Sequence, residues 1–257
     1  MKLVTSRDNA FYKELIKLSS SARQRGKSMQ TLLDGAHLLA AFLASGKQPE
    51  HLIVTEAALS NPEISALIQQ LPAIPLTRFD DGLFAELSEL KTVSGILALI
   101  SVPQSAMQPQ HSRFALLLEN IQDPGNIGSM LRSAAAAGCD SVFISSGCAD
   151  AWSPKVLRAA MGGHFVLEVI ENADLLKIAE LFNGTVFAAS LQAESSLYDK
   201  RLSGNIAFAI GNEGSGLSDD LLGKAVVITI PMPGKVESLN AAAATAVCLF
   251  EAARQRQ

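Results

Sequence analysis

The chain has 257 residues, 48% hydrophobic and 18% charged, with a formal net charge of −4. That composition lies near the globular norm and excludes a disordered chain or a disulfide scaffold, and at roughly 100 to 200 residues per domain it leaves room for two domains. The negative balance argues against a chain-wide nucleic-acid surface, but the sign is uneven. Within residues 1–35, Lys2, Arg7, Lys13, Lys17, Arg23, Arg25 and Lys27 stand against Asp8, Glu14 and Asp34, a net of +4, so the remainder carries −8. Such charges read either as a solvated helix face or as an arm facing RNA.

Charges interrupt every apolar run of the opening MKLVTSRDNAFYKEL. No signal-peptide core or membrane span can be drawn there, and a cytoplasmic chain is expected. Further on, TLLDGAHLLAAFLASG (31–46) has helical apolar spacing and ends in Gly46, while HLIVT (51–55) and GILALI (95–100) read as short buried strands. Residues 1–100 are thus expected to form a small α/β domain. The stretch SVPQSAMQPQHS (101–112), with two prolines and three glutamines, reads as a linker.

From residue 113 onward, strand-like runs (RFALLLEN, DSVFIS, FVLEVI, TVFAAS, NIAFAIG, VVITIP) alternate with helical segments (IGSMLRSAAAAG, PKVLRAAMG, ADLLKIAELF, LNAAAATAVCLFEAARQR). Continuous apolar strands separated by helices predict a parallel sheet covered on both faces, with chemistry in the loops beyond the strands' carboxyl ends. Cys139, Cys148 and Cys248 are odd in number and scattered, which suits core thiols in a reducing compartment. His37, His51, His111 and His164 show no ligand spacing, so no metal site is expected and surface or supporting roles are.

Three loops stand out. The first, N-I-Q-D-P-G-N-I-G-S-M-L-R (120–132), places Asn126 as a helix cap and Arg132 within about two turns of it, where the helix dipole disfavours a cation. Arg132 is therefore either half of a structural ion pair or functional. In the second, G-N-E-G-S-G-L-S (211–218), the glycines allow close backbone approach, but Glu213 speaks against a polyphosphate, and neither GxGxxG nor GxxxxGK[ST] is met. The third, I-P-M-P-G-K-V-E-S-L-N (230–240), leads into four alanines, with Ser238 in the position of an ordinary cap.

In this order and spacing, N-x5-R, G-N-E-G-x-G-L-S and I-P-M-x-G-x3-S-L-N resemble the signature motifs of the SpoU (TrmH) family of RNA ribose methyltransferases in the SPOUT superfamily. The likeness spans about residues 113–257. PKVLRAAMGGHF (154–165) also resembles a family segment, with Met161 where smaller residues are common. The opening LVTSRDNAFYKELIKL and LLDGAHLL are similar to a substrate-binding domain of relatives, although TVSG (92–95) departs from an expected PQG.

The resemblance implies a C-terminal trefoil-knotted, parallel-sheet domain (113–257) after a small α/β RNA-binding domain, and a homodimer formed through the knotted domain. It implies S-adenosylmethionine held by Gly211, Ile230, Leu239, Ser190 and Met232, with Asn126, Arg132, Glu213, Ser238 and Asn240 around the reacting atoms. Arg7, Lys13, Arg23, Arg25 and Lys27 would contact RNA, with rRNA favoured over tRNA. An arginine holds its proton above about pH 12, so Arg132 suits positioning and electrostatics better than general base, and the base is left open. The rivals are an inactive RNA-binding or ribosome-assembly factor, an oxidoreductase (which lacks its glycine fingerprint here) and a base methylase, against which the S-L-N motif counts.

Overall fold

The short apolar runs of the first hundred residues become strands wherever a turn bounds them. In chain order they give β1 (Lys2–Val4), α1 (Ala10–Ser20), α2 (Ala22–Ser28), β2 (Gln30–Asp34), α3 (Ala36–Ala44), β3 (His51–Val54), α4 (Glu56–Leu59), α5 (Pro62–Gln69), β4 (Leu76–Phe79), α6 (Asp81–Leu87) and β5 (Ile96–Ser101). The structure, a computed structural model, describes residues 2–88, 90, 93–105 and 107–257; Thr92 of the TVSG stretch lies outside them.

The five strands form one sheet of order β1-β4-β3-β5-β2, in which β5 runs antiparallel to both neighbours and the other pairings are parallel. Tyr12, Leu15 and Leu18 share one face of α1 and pack on Leu32, Ile53, Phe79 and Phe84. Residues 31–46 are not the single helix their spacing predicts. Thr31 to Asp34 belong to β2, and Gly35, at φ +109°, turns the chain into α3. Only a residue without a Cβ takes that backbone geometry readily.

The later chain gives β6 (Phe114–Leu118), α7 (Pro124–Ala137), β7 (Ser141–Ile144), α8 (Pro154–Ala160), β8 (Glu168–Ile170), α9 (Leu175–Leu181), β9 (Thr185–Ala189), β10 (Ile206–Ile210), α10 (Asp219–Leu222), β11 (Val226–Ile228) and α11 (Ala241–Gln255). Its sheet, ordered β11-β9-β10-β6-β7-β8, is parallel throughout. Strands buried on both faces need the uninterrupted apolar runs seen in the sequence. Ala115, Leu117, Phe143, Val186, Ala207 and Ala209 meet Leu175 and Ile178 of α9. The alanine-rich α11 lies against α7, burying Ala241, Thr245, Cys248 and Leu249.

By packing, one compact unit comprises Met1–Gln104 with Trp152–Gly162, and the other Ser105–Ala151 with Gly163–Gln257. A single cut at a 101–112 linker does not describe this arrangement. Thr31 Oγ1 donates to the Trp152 carbonyl at 2.7 Å and α8 packs on β2, so residues 152–162 lie with the first unit. The linker stretch itself begins inside β5 and contains a 3-10 turn at Pro109–His111. Of the four histidines, expected in surface or supporting roles, His164 is fully buried, its Nε2 2.7 Å from the Ala151 carbonyl oxygen. Burial pushes its pKa down to about 4.

Candidate active site

β9, β10 and β11 are neighbours in the second sheet, and the loops after them enclose a cavity of about 390 Å³, the size of small-molecule sites. The five residues assigned to a cofactor, Ser190, Gly211, Ile230, Met232 and Leu239, all line it, as do Glu213 and Ser238. Asn126, Arg132 and Asn240 are not among its lining residues.

The loop after β10 folds on itself. Asn212 N donates to the Gly216 carbonyl at 3.1 Å, Gly216 N returns a bond to Asn212 O at 2.9 Å, and Asn212 Oδ1 accepts from Gly214 N and Ser215 N. A Cβ on Gly211 would lie 2.2 Å from the Gly216 carbonyl carbon, which is backbone and has little room to yield. Glycine is thus required there so that the two ends of the loop can cross.

Three loops distant in sequence meet through side chains. Asn240 Nδ2 donates to Asn126 Oδ1 at 3.0 Å, and Asn126 Nδ2 donates to Glu213 Oε1 at 2.6 Å. Asn240 also caps α11, its Oδ1 accepting from Ala242 N and Ala243 N, so the cap is Asn240 and not Ser238. Asn126 is likewise not a cap. Asp123 caps α7, with Pro124 in the first turn, and Asn126 lies inside the helix with its side chain free to face Glu213. Arg132, further along α7, is exposed and makes no hydrogen bond or ion pair among the described residues, which removes the support for a structural ion pair.

The cavity lining contains Glu213 and Asp219 but no Lys, Arg or His. With a glycine loop at its wall and no cation to meet a phosphate, it suits a neutral or cationic ligand, and a sulfonium such as S-adenosylmethionine fits that chemistry. Asp219 and Gln192 line it without having been singled out from sequence, although Asp219 directly follows G-N-E-G-S-G-L-S. Among the described residues no group of three or more His, Cys, Asp or Glu is arranged to hold a metal ion.

The expected RNA contacts divide. Arg7 is exposed but bound to Glu86, with Nε to Oε1 at 3.0 Å, and Lys13 Nζ sits 2.9 Å from Asp8 Oδ1. Arg23 and Lys27 on α2 are exposed and make no ion pair among the described residues. Arg25 is buried, contrary to an RNA-facing role: its Nη1 donates to the Leu18 and Ser19 carbonyls, which the end of α1 leaves without helical partners.

This sheet, cavity and motif set describe an α/β transferase of the methylase type, and comparison with known proteins specifies it. The model of the SpoU rRNA methylase family matches residues 113–250. An uncharacterised tRNA/rRNA methyltransferase of Synechocystis sp. is 33% identical over 98% of this chain and 94% of its own length. The 23S rRNA (guanosine(2553)-2'-O)-methyltransferase RlmP of Bacillus subtilis is 30% identical, covering 97% and 98%. A crystal structure of an RNA 2'-O ribose methyltransferase superposes with a TM-score of 0.84 at 30% identity, over 99% of each chain. The fold alone is shared with the SpoU methyltransferase AviRb of Streptomyces viridochromogenes in complex with AdoMet, at TM-score 0.87, 24% identity and coverage of 96% and 98%. The chain belongs to the SpoU rRNA methylase family.

Proposed function

We propose that the protein transfers the methyl group of S-adenosylmethionine to a ribose 2'-hydroxyl of structured RNA, rRNA in preference to tRNA. The observation that carries this is the Asn240–Asn126–Glu213 chain, which joins the three motif loops beside a cation-free cavity. Bound there, the cofactor would supply an electrophilic methyl and leave as a neutral thioether. Gly211, Ile230, Met232 and Leu239 would hold it, and Ser190 would close the cavity beside β9. Glu213, oriented by Asn126, and Ser238 would fix the ribose so that its oxygen lies in line behind the methyl; proximity of this kind is worth an effective molarity on the order of 10⁵ M or more. Arg132, exposed and uncommitted, would meet the target phosphate and stabilise charge on the attacking oxygen.

The N-terminal residues would grip RNA through Arg23 and Lys27, with Arg7 and Lys13 contributing once released from their own carboxylates. The reading includes a threaded C-terminal region, a homodimer through the second unit and a cytoplasmic location. It also draws on the RNA 2'-O-methyltransferase names of the relatives at 30% identity. The test is to incubate the purified protein with labelled S-adenosylmethionine and ribosomal RNA and map 2'-O-methylation. A single modified ribose is expected. Cofactor binding without transfer to any RNA would favour the inactive assembly factor instead.

A further inference from the structure

Glu119 is the residue after β6, and it continues that strand's pairing with β10 by donating its N–H to the Ile210 carbonyl at 2.9 Å. Its half-buried side chain reaches a residue 99 positions along the chain. Oε2 accepts from Ser218 N at 2.7 Å and Oε1 from Ser218 Oγ at 2.8 Å. Residues 210–219 line the cavity with the single exception of Ser218, so this two-point grip holds the loop from outside the cavity. The next residue, Asn120, takes the other end: its carbonyl accepts from Asn212 Nδ2 at 2.9 Å. Two consecutive residues therefore fasten both ends of the loop that carries Glu213.

We propose that Glu119 is a positioning residue for methyl transfer, its carboxylate holding loop 211–218 in the shape that receives the cofactor. The inference rests on the reading of the cavity as the cofactor site. A loop with glycine at 211, 214 and 216 loses much backbone freedom on ordering. An ionised carboxylate accepting from a backbone N–H and a hydroxyl is among the stronger restraints a side chain offers. Ordering the loop before the cofactor arrives removes that entropy cost from the binding step. Glu119 does not line the cavity, and both its oxygens face Ser218, so it acts through the loop and not on the reacting atoms.

The experiment measures S-adenosylmethionine binding by calorimetry, and steady-state methyl transfer to RNA, for the full-length protein and its variants. In Glu119→Ala, Kd and KM for the cofactor rise about tenfold or more, the worth of charge-assisted hydrogen bonds, while kcat at saturating cofactor stays within about threefold. Glu119→Gln restores binding to within about threefold of wild type, because its Oε1 can accept from Ser218 N while its amide donates to Ser218 Oγ. An unchanged Kd in Glu119→Ala overturns the proposal, and so does a lost kcat at unchanged Kd. Should that variant not fold, Ser218→Ala removes the hydroxyl half of the grip and is expected to raise Kd about threefold; an unchanged Kd again overturns it. A wild-type protein that binds no S-adenosylmethionine would remove the underlying reading, whereas normal wild-type binding with an indifferent Glu119→Ala removes only the role of Glu119.

Discussion

The cavity of the second unit and the basic surface of the first are built on opposite principles. The cavity is a construction of loops, in which glycines, caps and side chains fasten three segments to one another. The basic surface consists of long side chains, several already occupied by the protein's own groups: Arg7 by Glu86, Lys13 by Asp8, and Arg25 by the end of α1. A count of charges thus overstates what such a surface offers a polyanion, whereas a glycine motif understates how rigid a loop it makes. Exposed ion pairs are worth little and reorganise easily, so the first unit is adaptable where the second is set.

The sharpest way to break this contrast is Arg132→Ala. As the one uncommitted cation among the three motifs' assigned residues, Arg132 should lower kcat and kcat/KM together by on the order of 100- to 1,000-fold when removed, with cofactor affinity unchanged. A stable variant with normal turnover would show that the set part of the site works without it. Next, Gly211→Ala forces a Cβ against the Gly216 backbone and should weaken cofactor binding about ten- to a hundredfold, as overpacking of a rigid site does. Calorimetry giving wild-type affinity would mean that the loop yields after all.

Within the first unit, Arg25→Ala should cost about 1–3 kcal/mol of stability, read as a lower urea midpoint, and leave RNA affinity alone. The pair Arg23→Ala and Lys27→Ala should do the reverse, reducing the salt slope of RNA binding by about two with little effect on folding. If the two outcomes are exchanged, the division between structural and RNA-facing cations is wrong. The narrowest effect, confined to acid pH, is on stability. His164, with its pKa held near 4 by burial, stays neutral in the fold while the unfolded chain takes up a proton near 6.5. The unfolded state therefore binds the extra proton between those values, and stability falls as pH drops through that window. His164→Gln should flatten that part of a urea-midpoint profile, and an unchanged profile would assign the slope to other groups.

The parallel sheet was readable because strands buried on both faces must be apolar throughout, and the residues that line the cavity because each motif is contiguous. Features depending on distant partners were not. Helix α8 looked like any other in the series, yet its place with the first unit depends on Thr31, 121 positions away from Trp152. Residues 31–46 read as one helix because Leu32, Leu33, Leu38 and Leu39 satisfy a helical period on both sides of Gly35, the one residue that breaks it. The cap of α7 did carry a local signal that outranked Asn126: an Asp immediately before a Pro marks a helix start. Arg25 could not be told from Arg23 or Lys27, since burial of a cation is decided by whichever carbonyls lie nearby.

The chain from Asn240 through Asn126 to Glu213 has a direction. The N–H groups at the start of α11 claim Asn240 Oδ1, which leaves its amide nitrogen to donate to Asn126; that in turn leaves the nitrogen of Asn126 to donate to Glu213. A helix end thereby dictates the orientation of two amides and, through them, of a carboxylate. Carboxamides do not titrate in the range where proteins are folded, so this line transmits orientation but conducts no proton. In the proposed reaction, the proton of the ribose hydroxyl would therefore have to leave by a route other than this line of amides.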